Sequence, residues 1–174
     1  NRMDYVFGPN GELGLKAPGK WFSYLDLDEC HLLSPEASKL LATVGKLTRE
    51  NNLPCYNPKN GRGCYRYLVI REGKNSGDRL VMIIKKSNQP TSKALIDCLQ
   101  SFASHILVGI NDSPTDISTA SSLEVITGSD SFHEIVGNVR YEIPCQSFFQ
   151  TNTLMAEELF KTVAAALTGA RKVL

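Results

Sequence analysis

The sequence lacks a hydrophobic run long enough to cross a membrane, and its first residues do not resemble a signal peptide. A membrane helix needs roughly 18 consecutive apolar residues. Here hydrophobic residues make up 42% of 174 residues and charged residues 21%, which is the composition of an ordinary globular domain. These absences predict a folded cytoplasmic protein without a membrane partner.

Paired metal-ligand spacings are also missing. The five cysteines contain no C-x-x-C pair, and their odd number argues against both a complete zinc site and a secreted disulfide framework. We therefore expect reduced thiols at Cys30, Cys55, Cys64, Cys98 and Cys145. The histidines are equally scattered, so ordinary structural roles are expected for His31, His105 and His133.

The net charge is close to zero, because 19 basic residues are balanced by 18 acidic ones. The charged residues are unevenly distributed along the chain, however. Residues 59–86 contain eight basic and two acidic residues, a local net charge of +6. The basic residues are Lys59, Arg62, Arg66, Arg71, Lys74, Arg79, Lys85 and Lys86. Two interpretations stay open: a site for a polyanion, or a solvated strand pair whose outer face is basic.

Hydrophobic periodicity and turn residues predict an α+β fold. Strands are expected at residues 1–8, 12–16, 21–27, 65–71, 79–87, 105–110, 123–127, 132–136 and 138–143. Ser34-Pro35 predicts a helix start, and further helices are expected at about 91–104 and from Asn152 to Gly169. Most strands follow one another, which favours a mainly antiparallel sheet with helices on one side.

A polar and aromatic turn, Phe148-Phe149-Gln150-Thr151-Asn152, connects the last of these strands to the last helix. Such a junction can serve a ligand, because aromatic faces stack on bases, glutamine donates and accepts, and a helix start presents free N–H groups. The alternative is that both phenylalanines belong to the core and that Thr151 or Asn152 only caps the helix. From these residues alone, both interpretations stay open.

Residues 147–153 (Ser-Phe-Phe-Gln-Thr-Asn-Thr), followed by Ala156-Glu157, resemble the segment that enters the catalytic domain of the RNA uracil-5-methyltransferases, which modify tRNA and 23S rRNA. Residues 1–3, 26–33 and 65–73 also match, in the same order. The last residues, 172–174, are similar to the start of the strand before the S-adenosylmethionine loop. The resemblance implies a central α+β domain at 1–146 and, at 147–174, the truncated start of a Rossmann-like methyltransferase domain.

The resemblance also implies roles for individual residues. Phe148 aligns with the aromatic residue that packs on the target base, and Gln150 with a glutamine that reaches S-adenosylmethionine. Cys30 aligns with the fourth ligand of a [4Fe-4S] cluster, whose other ligands would precede residue 1. The family usually has Cys-Pro where this chain has Cys30-His31, and the alternative for Cys30 is a small buried apolar residue.

The reaction implied is attack of a cysteine thiolate on C6 of uracil, methyl transfer to C5 and loss of the C5 proton. In the family the nucleophile and the base lie beyond position 174. We therefore expect no catalytic residue here, and an inactive fragment of an S-adenosylmethionine-dependent enzyme. Phosphate contacts are conceivable at Arg66, Arg71, Lys74 and Arg79, with stacking by Tyr65 or Tyr67. A non-catalytic RNA-binding module is the alternative; neither interpretation implies an obligate protein partner.

Overall fold

The computed structural model describes residues 1–169, within which nine strands and three helices follow one another. They are β1 (Arg2–Phe7), β2 (Leu13–Ala17), β3 (Lys20–Asp26), α1 (Pro35–Glu50), β4 (Tyr65–Glu72), β5 (Arg79–Lys85), α2 (Lys93–Gln100), β6 (His105–Ile110), β7 (Ser122–Thr127), β8 (Ser131–Val136), β9 (Val139–Pro144) and α3 (Thr153–Ala166). None of these helices is long and apolar enough to cross a membrane. The strand predicted at 172–174 lies outside the described residues.

Seven strands form one sheet in the order β3-β2-β1-β4-β5-β6-β7, and β8 pairs with β9 in a separate hairpin. All neighbours in the sheet are antiparallel except β5 and β6, which are parallel and connected by α2. The prediction of an α+β fold with a mainly antiparallel sheet is therefore confirmed. The β5–α2–β6 crossover is a βαβ unit that the sequence interpretation did not include.

Helices α1 and α2 cover one face of the sheet. The Ser34 hydroxyl accepts a hydrogen bond from the Ala37 amide and Pro35 occupies the first turn, as predicted for the start of α1. Leu40 and Leu41 of α1 and Leu95 of α2 are completely buried against the sheet. Each such side chain contributes roughly 1.5–3 kcal/mol by leaving water, so this face anchors the fold.

The β8–β9 hairpin covers the opposite face, where Phe132 and Ile143 pack against Met82 and Leu107 of the sheet. This second covering layer was not predicted. With both faces of the sheet covered at its centre, every residue of β4 is buried.

Both interpretations of the basic segment are therefore wrong for Arg66 and Arg71 of β4, which point into the protein. Arg66 is 2% exposed and donates to the backbone carbonyls of Asn111, Ser113 and Thr115. Arg71 is completely buried. Neither guanidinium is accessible to a phosphate, because each is buried and donates hydrogen bonds to backbone carbonyls.

The neighbouring residues of the hairpin are also engaged within the protein. Glu72 forms ion pairs with Lys74 at 2.8 Å and with Arg79 at 3.0 Å. Burial alone would raise the pKa of Glu72, but hydrogen bonds from Lys74 and Ser34 outweigh it and lower the pKa to about 2. The stacking role considered for Tyr65 and Tyr67 is excluded, because both side chains are buried.

Candidate functional site

The junction between β9 and α3, residues 145–152, brings a strand end to a helix start. Asn152 caps α3, since its side-chain oxygen accepts a hydrogen bond from the Met155 amide at 3.1 Å. Thr153 and Ala156 are buried, and they attach the first turn of α3 to the β8–β9 hairpin. Most apolar residues further along α3 remain exposed, so the helix is held mainly at its start.

Phe148 and Phe149 of this junction have opposite environments. The Phe149 ring packs against Tyr141, with ring centres 5.5 Å apart, beside the buried cluster under the hairpin. Phe148 is 83% exposed. The core interpretation is thus right for Phe149 and wrong for Phe148. The Gln150 side chain is exposed, and its backbone carbonyl accepts a hydrogen bond from the Asn1 side chain at 3.1 Å.

Arg71 holds the backbone of the junction from inside. Its Nη1 atom donates to the carbonyls of Pro144 at 3.2 Å, Cys145 at 3.0 Å and Ser147 at 2.7 Å. The guanidinium also lies 4.8 Å from the centre of the Phe132 ring. Burial lowers the pKa of Arg71 to about 10, so the side chain stays protonated at neutral pH. One buried cation therefore fixes the turn immediately before Phe148.

Glu134 is the second residue that positions the junction, and sequence reasoning missed it. It is completely buried, and its carboxylate accepts hydrogen bonds from the Lys74 amide at 2.9 Å, the Asn75 amide at 3.0 Å and the Thr153 hydroxyl at 2.7 Å. These contacts tie the β4–β5 turn to the start of α3. The available signal was the alternation of β8, where Glu134 stands between inward-facing Phe132 and Val136.

A cleft of about 520 Å³ opens beside the junction. It is lined by the start of β1, the loop before α1, the β4–β5 turn and the first turn of α3, which contribute residues 1–3, 31–33, 74–75 and 151–154. Phe148, Gln150 and Cys30 are near this wall in sequence but are not among the lining residues. The loop before α1, which contains Cys30, and the β9–α3 junction thus both border the cleft, whereas the Phe148 and Gln150 side chains are exposed outside it.

Cys30 packs partly buried against the core under α1, and its amide donates to the Ser38 hydroxyl at 2.9 Å. Across residues 1–169, no group of three histidine, cysteine or carboxylate side chains converges to hold a metal ion. A four-iron cluster requires four ligands of this kind. The described residues therefore do not form a cluster site by themselves, and the ligand role of Cys30 stays a prediction.

The other four cysteines are poor nucleophiles. Burial raises the pKa of Cys55 to about 12 and also raises the pKa of Cys64, Cys98 and Cys145 above the ordinary thiol value. A nucleophilic cysteine needs the thiolate form near neutral pH. The absence of a catalytic cysteine from this chain stays a prediction.

His105 and His133 have structural roles, as predicted, because both contact Asp78, at 3.1 and 3.2 Å. Burial would raise the pKa of Asp78, but the His133 amide and the nearby His105 lower it on balance. The Asp78 carboxylate thereby joins the start of β6 to β8.

The chain is similar in sequence to RNA methyltransferases. It is 33% identical over 165 residues to an uncharacterized RNA methyltransferase of Nanoarchaeum equitans, covering 94% of this chain and 36% of that protein. It is 31% identical over 174 residues to the tRNA (uracil(54)-C(5))-methyltransferase of Pyrococcus furiosus, covering 99% of this chain and 41% of that protein. Over nearly its whole length, this chain thus resembles RNA methyltransferases, among them tRNA (uracil-C5)-methyltransferases. No family model matches it.

The fold gives the same relationship. The crystal structure of the Pyrococcus abyssi tRNA (uracil-54, C5)-methyltransferase in complex with S-adenosyl-L-homocysteine superimposes with a TM-score of 0.75 and 26% identity, covering 95% of this chain and 40% of that chain. The predicted resemblance to the uracil-5-methyltransferases is therefore confirmed. The chain spans about two fifths of the length of the curated relatives it matches. The division at residue 146 and the Rossmann-like character of 147–174 stay predictions.

Proposed function

We propose that this chain is part of an enzyme that transfers a methyl group from S-adenosylmethionine to C5 of a uridine in RNA. The β9–α3 junction would supply one wall of its active site. The observation that carries the proposal is the 83% exposure of Phe148 on a turn whose backbone Arg71 fixes from below. Kinship to tRNA uracil-5-methyltransferases, one of them solved with S-adenosyl-L-homocysteine, supports it.

Phe148 has the chemistry required to receive a base. A base that leaves its stack loses stacking energy, and an aromatic side chain restores roughly 1–3 kcal/mol of it. The Phe148 ring is free to stack, because Phe149 and not Phe148 fills the core beside Tyr141. A preformed turn also reduces the entropy lost on binding. We infer that Phe148 packs on the target uracil.

Gln150 lies two residues further along the same turn and presents an exposed amide. An amide both donates and accepts, so it suits the polar groups of S-adenosylmethionine. When bound, this cofactor supplies an electrophilic methyl group, which replaces the C5 hydrogen of uracil while that hydrogen leaves as a proton. Gln150 would orient the cofactor beside the base that Phe148 holds.

The nucleophilic cysteine and the residue that removes the C5 proton are proposed to lie in another part of the whole protein. The buried cysteines have raised pKa values, which keep them protonated at neutral pH. The 174-residue chain alone should therefore be inactive. Because the named relatives act on tRNA, we propose tRNA as the substrate and retain 23S rRNA as the second substrate to be tested.

The test measures transfer of labelled methyl from S-adenosylmethionine to tRNA and 23S rRNA transcripts by the whole protein and by this chain. We expect activity only with the whole protein. Phe148→Ala and Gln150→Ala should each reduce the rate at least tenfold, whereas Phe160→Ala, which removes an exposed ring from α3, should not. A whole protein that binds RNA but never methylates uridine would instead identify a non-catalytic RNA-binding module.

A further inference from the structure

The start of β3, directly after the turn from β2, carries two exposed aromatic side chains. Trp21 is 57% exposed and Phe22 49% exposed, and their rings meet edge to face with centres 5.7 Å apart. The preceding turn contains Gly19, whose φ of +71° favours glycine. Large aromatic side chains are normally buried to a high degree, so two neighbouring exposed rings at the start of a strand indicate a contact surface.

Basic side chains lie over one of these rings and in the adjoining segments. The Lys59 ammonium lies 5.1 Å from the centre of the Phe22 ring. Lys59 belongs to a tight loop in which the Asn57 amide donates to the Arg62 carbonyl at 2.7 Å. Lys20 and Arg62 are exposed as well. We name Lys20, Trp21, Phe22, Lys59 and Arg62 the hairpin-tip patch.

The charges of the hairpin-tip patch are not neutralised within the described part of the chain. Among residues 1–169, none of its three basic side chains has a carboxylate within 4.0 Å, whereas Lys16 nearby is paired with Asp116. Glu12 is the acidic residue in the adjoining groove of about 370 Å³, where its carboxylate accepts hydrogen bonds from Asn10. The patch therefore presents an excess of positive charge around two flat rings.

Single-stranded nucleic acid is the partner that matches this combination. Unpaired bases stack on aromatic faces, and the phosphates between them interact with lysine and arginine. A protein partner fits less well, because it would have to desolvate three cations without a matching acceptor. Double-stranded RNA fits less well too, because its bases are already stacked.

We propose that the hairpin-tip patch binds an unpaired segment of RNA at a second contact, separate from the β9–α3 junction. The patch shares no residue with the cleft beside that junction. The identity of the ligand rests on the proposed function, in which RNA is the substrate. Trp21 and Phe22 stack on bases, while Lys20, Lys59 and Arg62 neutralise the adjacent phosphates.

Trp21 is the single tryptophan of the chain, so its fluorescence reports on the patch without background. We expect oligouridylate of about 12 nucleotides to quench it saturably at about 50 mM salt. Log affinity should fall with log salt concentration with a slope of about −2, as three phosphate contacts on a single strand require. A duplex of the same length should bind more weakly.

Two variants and two controls locate the contact. Phe22→Ala should weaken binding roughly five- to hundredfold, the effect of losing one stacking platform. Lys59→Gln should reduce the salt slope by roughly 0.7, the effect of one phosphate contact. Phe160→Ala and Lys46→Gln, which alter an exposed ring on α3 and a cation paired with Glu50, should leave binding unchanged. Retention of the thermal midpoint in each variant shows that the fold is intact.

Unaltered Trp21 fluorescence at low salt would overturn the proposal, and so would equal quenching by duplex RNA. Self-association that Phe22→Ala abolishes would assign the patch to a second copy of the chain and overturn it as well. The experiment is independent of catalysis. Phe148→Ala should slow methylation by the whole protein at least tenfold without changing the Trp21 signal. Quenching without methylation therefore rejects only the proposed function. Methylation without quenching rejects only this second contact.

Discussion

The Thr153 hydroxyl donates a 2.7 Å hydrogen bond to the Glu134 carboxylate, and both residues are buried. This bond connects the first turn of α3 to β8, and the same carboxylate accepts the amides of Lys74 and Asn75. The Ile135 amide also donates to it, at 2.9 Å, so four neutral donors satisfy one buried carboxylate. The position of the β9–α3 junction depends on this arrangement.

Glu134→Gln should destabilise the protein by about 1–3 kcal/mol, because each carboxylate oxygen accepts two hydrogen bonds and the new NH₂ group would face donors instead of accepting from them. Chemical denaturation measures the change. Glu124→Gln, which removes an exposed carboxylate on β7, serves as the control and should change the unfolding free energy by no more than about 0.5 kcal/mol. Equal effects of the two substitutions would contradict the role given to Glu134.

Arg71→Met should cost about 3 kcal/mol or more, since it removes the buried guanidinium that donates to the carbonyls of Pro144, Cys145 and Ser147. The same substitution should lower methylation by the whole protein, because the turn before Phe148 loses its support. Urea denaturation and the methyl-transfer rate check the two effects. An Arg71→Met protein with normal stability would show that the guanidinium does not hold the junction.

Phe148→Ala and Phe149→Ala should separate function from stability. Phe148 is 83% exposed, so its replacement should change the unfolding free energy by less than about 0.5 kcal/mol. Phe149 packs against Tyr141, so its loss should cost about 1–3 kcal/mol. Thermal denaturation of the two variants provides the comparison, and a larger loss for Phe148→Ala would contradict the assignment.

Acid should destabilise the protein through Glu72. Its pKa is about 2 in the folded protein, below the ordinary 4.5, so the ionised form favours folding. The resulting contribution, about 3 kcal/mol, is complete above pH 4.5 and is lost as the pH falls toward 2. Asp78, whose pKa is also lowered, acts with the same sign. Denaturation at a series of pH values should show a flatter profile for Glu72→Gln in this range.

Local signals were sufficient for the parts of the fold that depend on neighbouring residues. Ser34-Pro35 predicted the start of α1, and Thr151 or Asn152 was expected to cap α3, where Asn152 is the cap, because capping requires only the residues of the first turn. The choice between the core and binding interpretations of Phe148 could not be made locally. It depends on which ring reaches Tyr141 of β9.

The basic residues of β4 could not be placed from sequence, because their environment is created by distant segments. Arg66 is covered by the loop that begins at Asn111, and Arg71 by residues 144–147. Both segments are more than 40 residues away in the chain. Counting charge along the segment therefore could not tell which basic residues face the core: Arg66 and Arg71 do, while Lys59 and Arg62 in the preceding loop are exposed.

The attachment of α3 at its first turn also has a mechanical meaning. A helix of 14 residues is about 21 Å long, so a tilt of about 10° at Thr153 would move its other end by about 4 Å. Because α3 is attached through the bond between Thr153 and Glu134, a small change at the turn that presents Phe148 and Gln150 would produce a larger displacement at the other end of the helix.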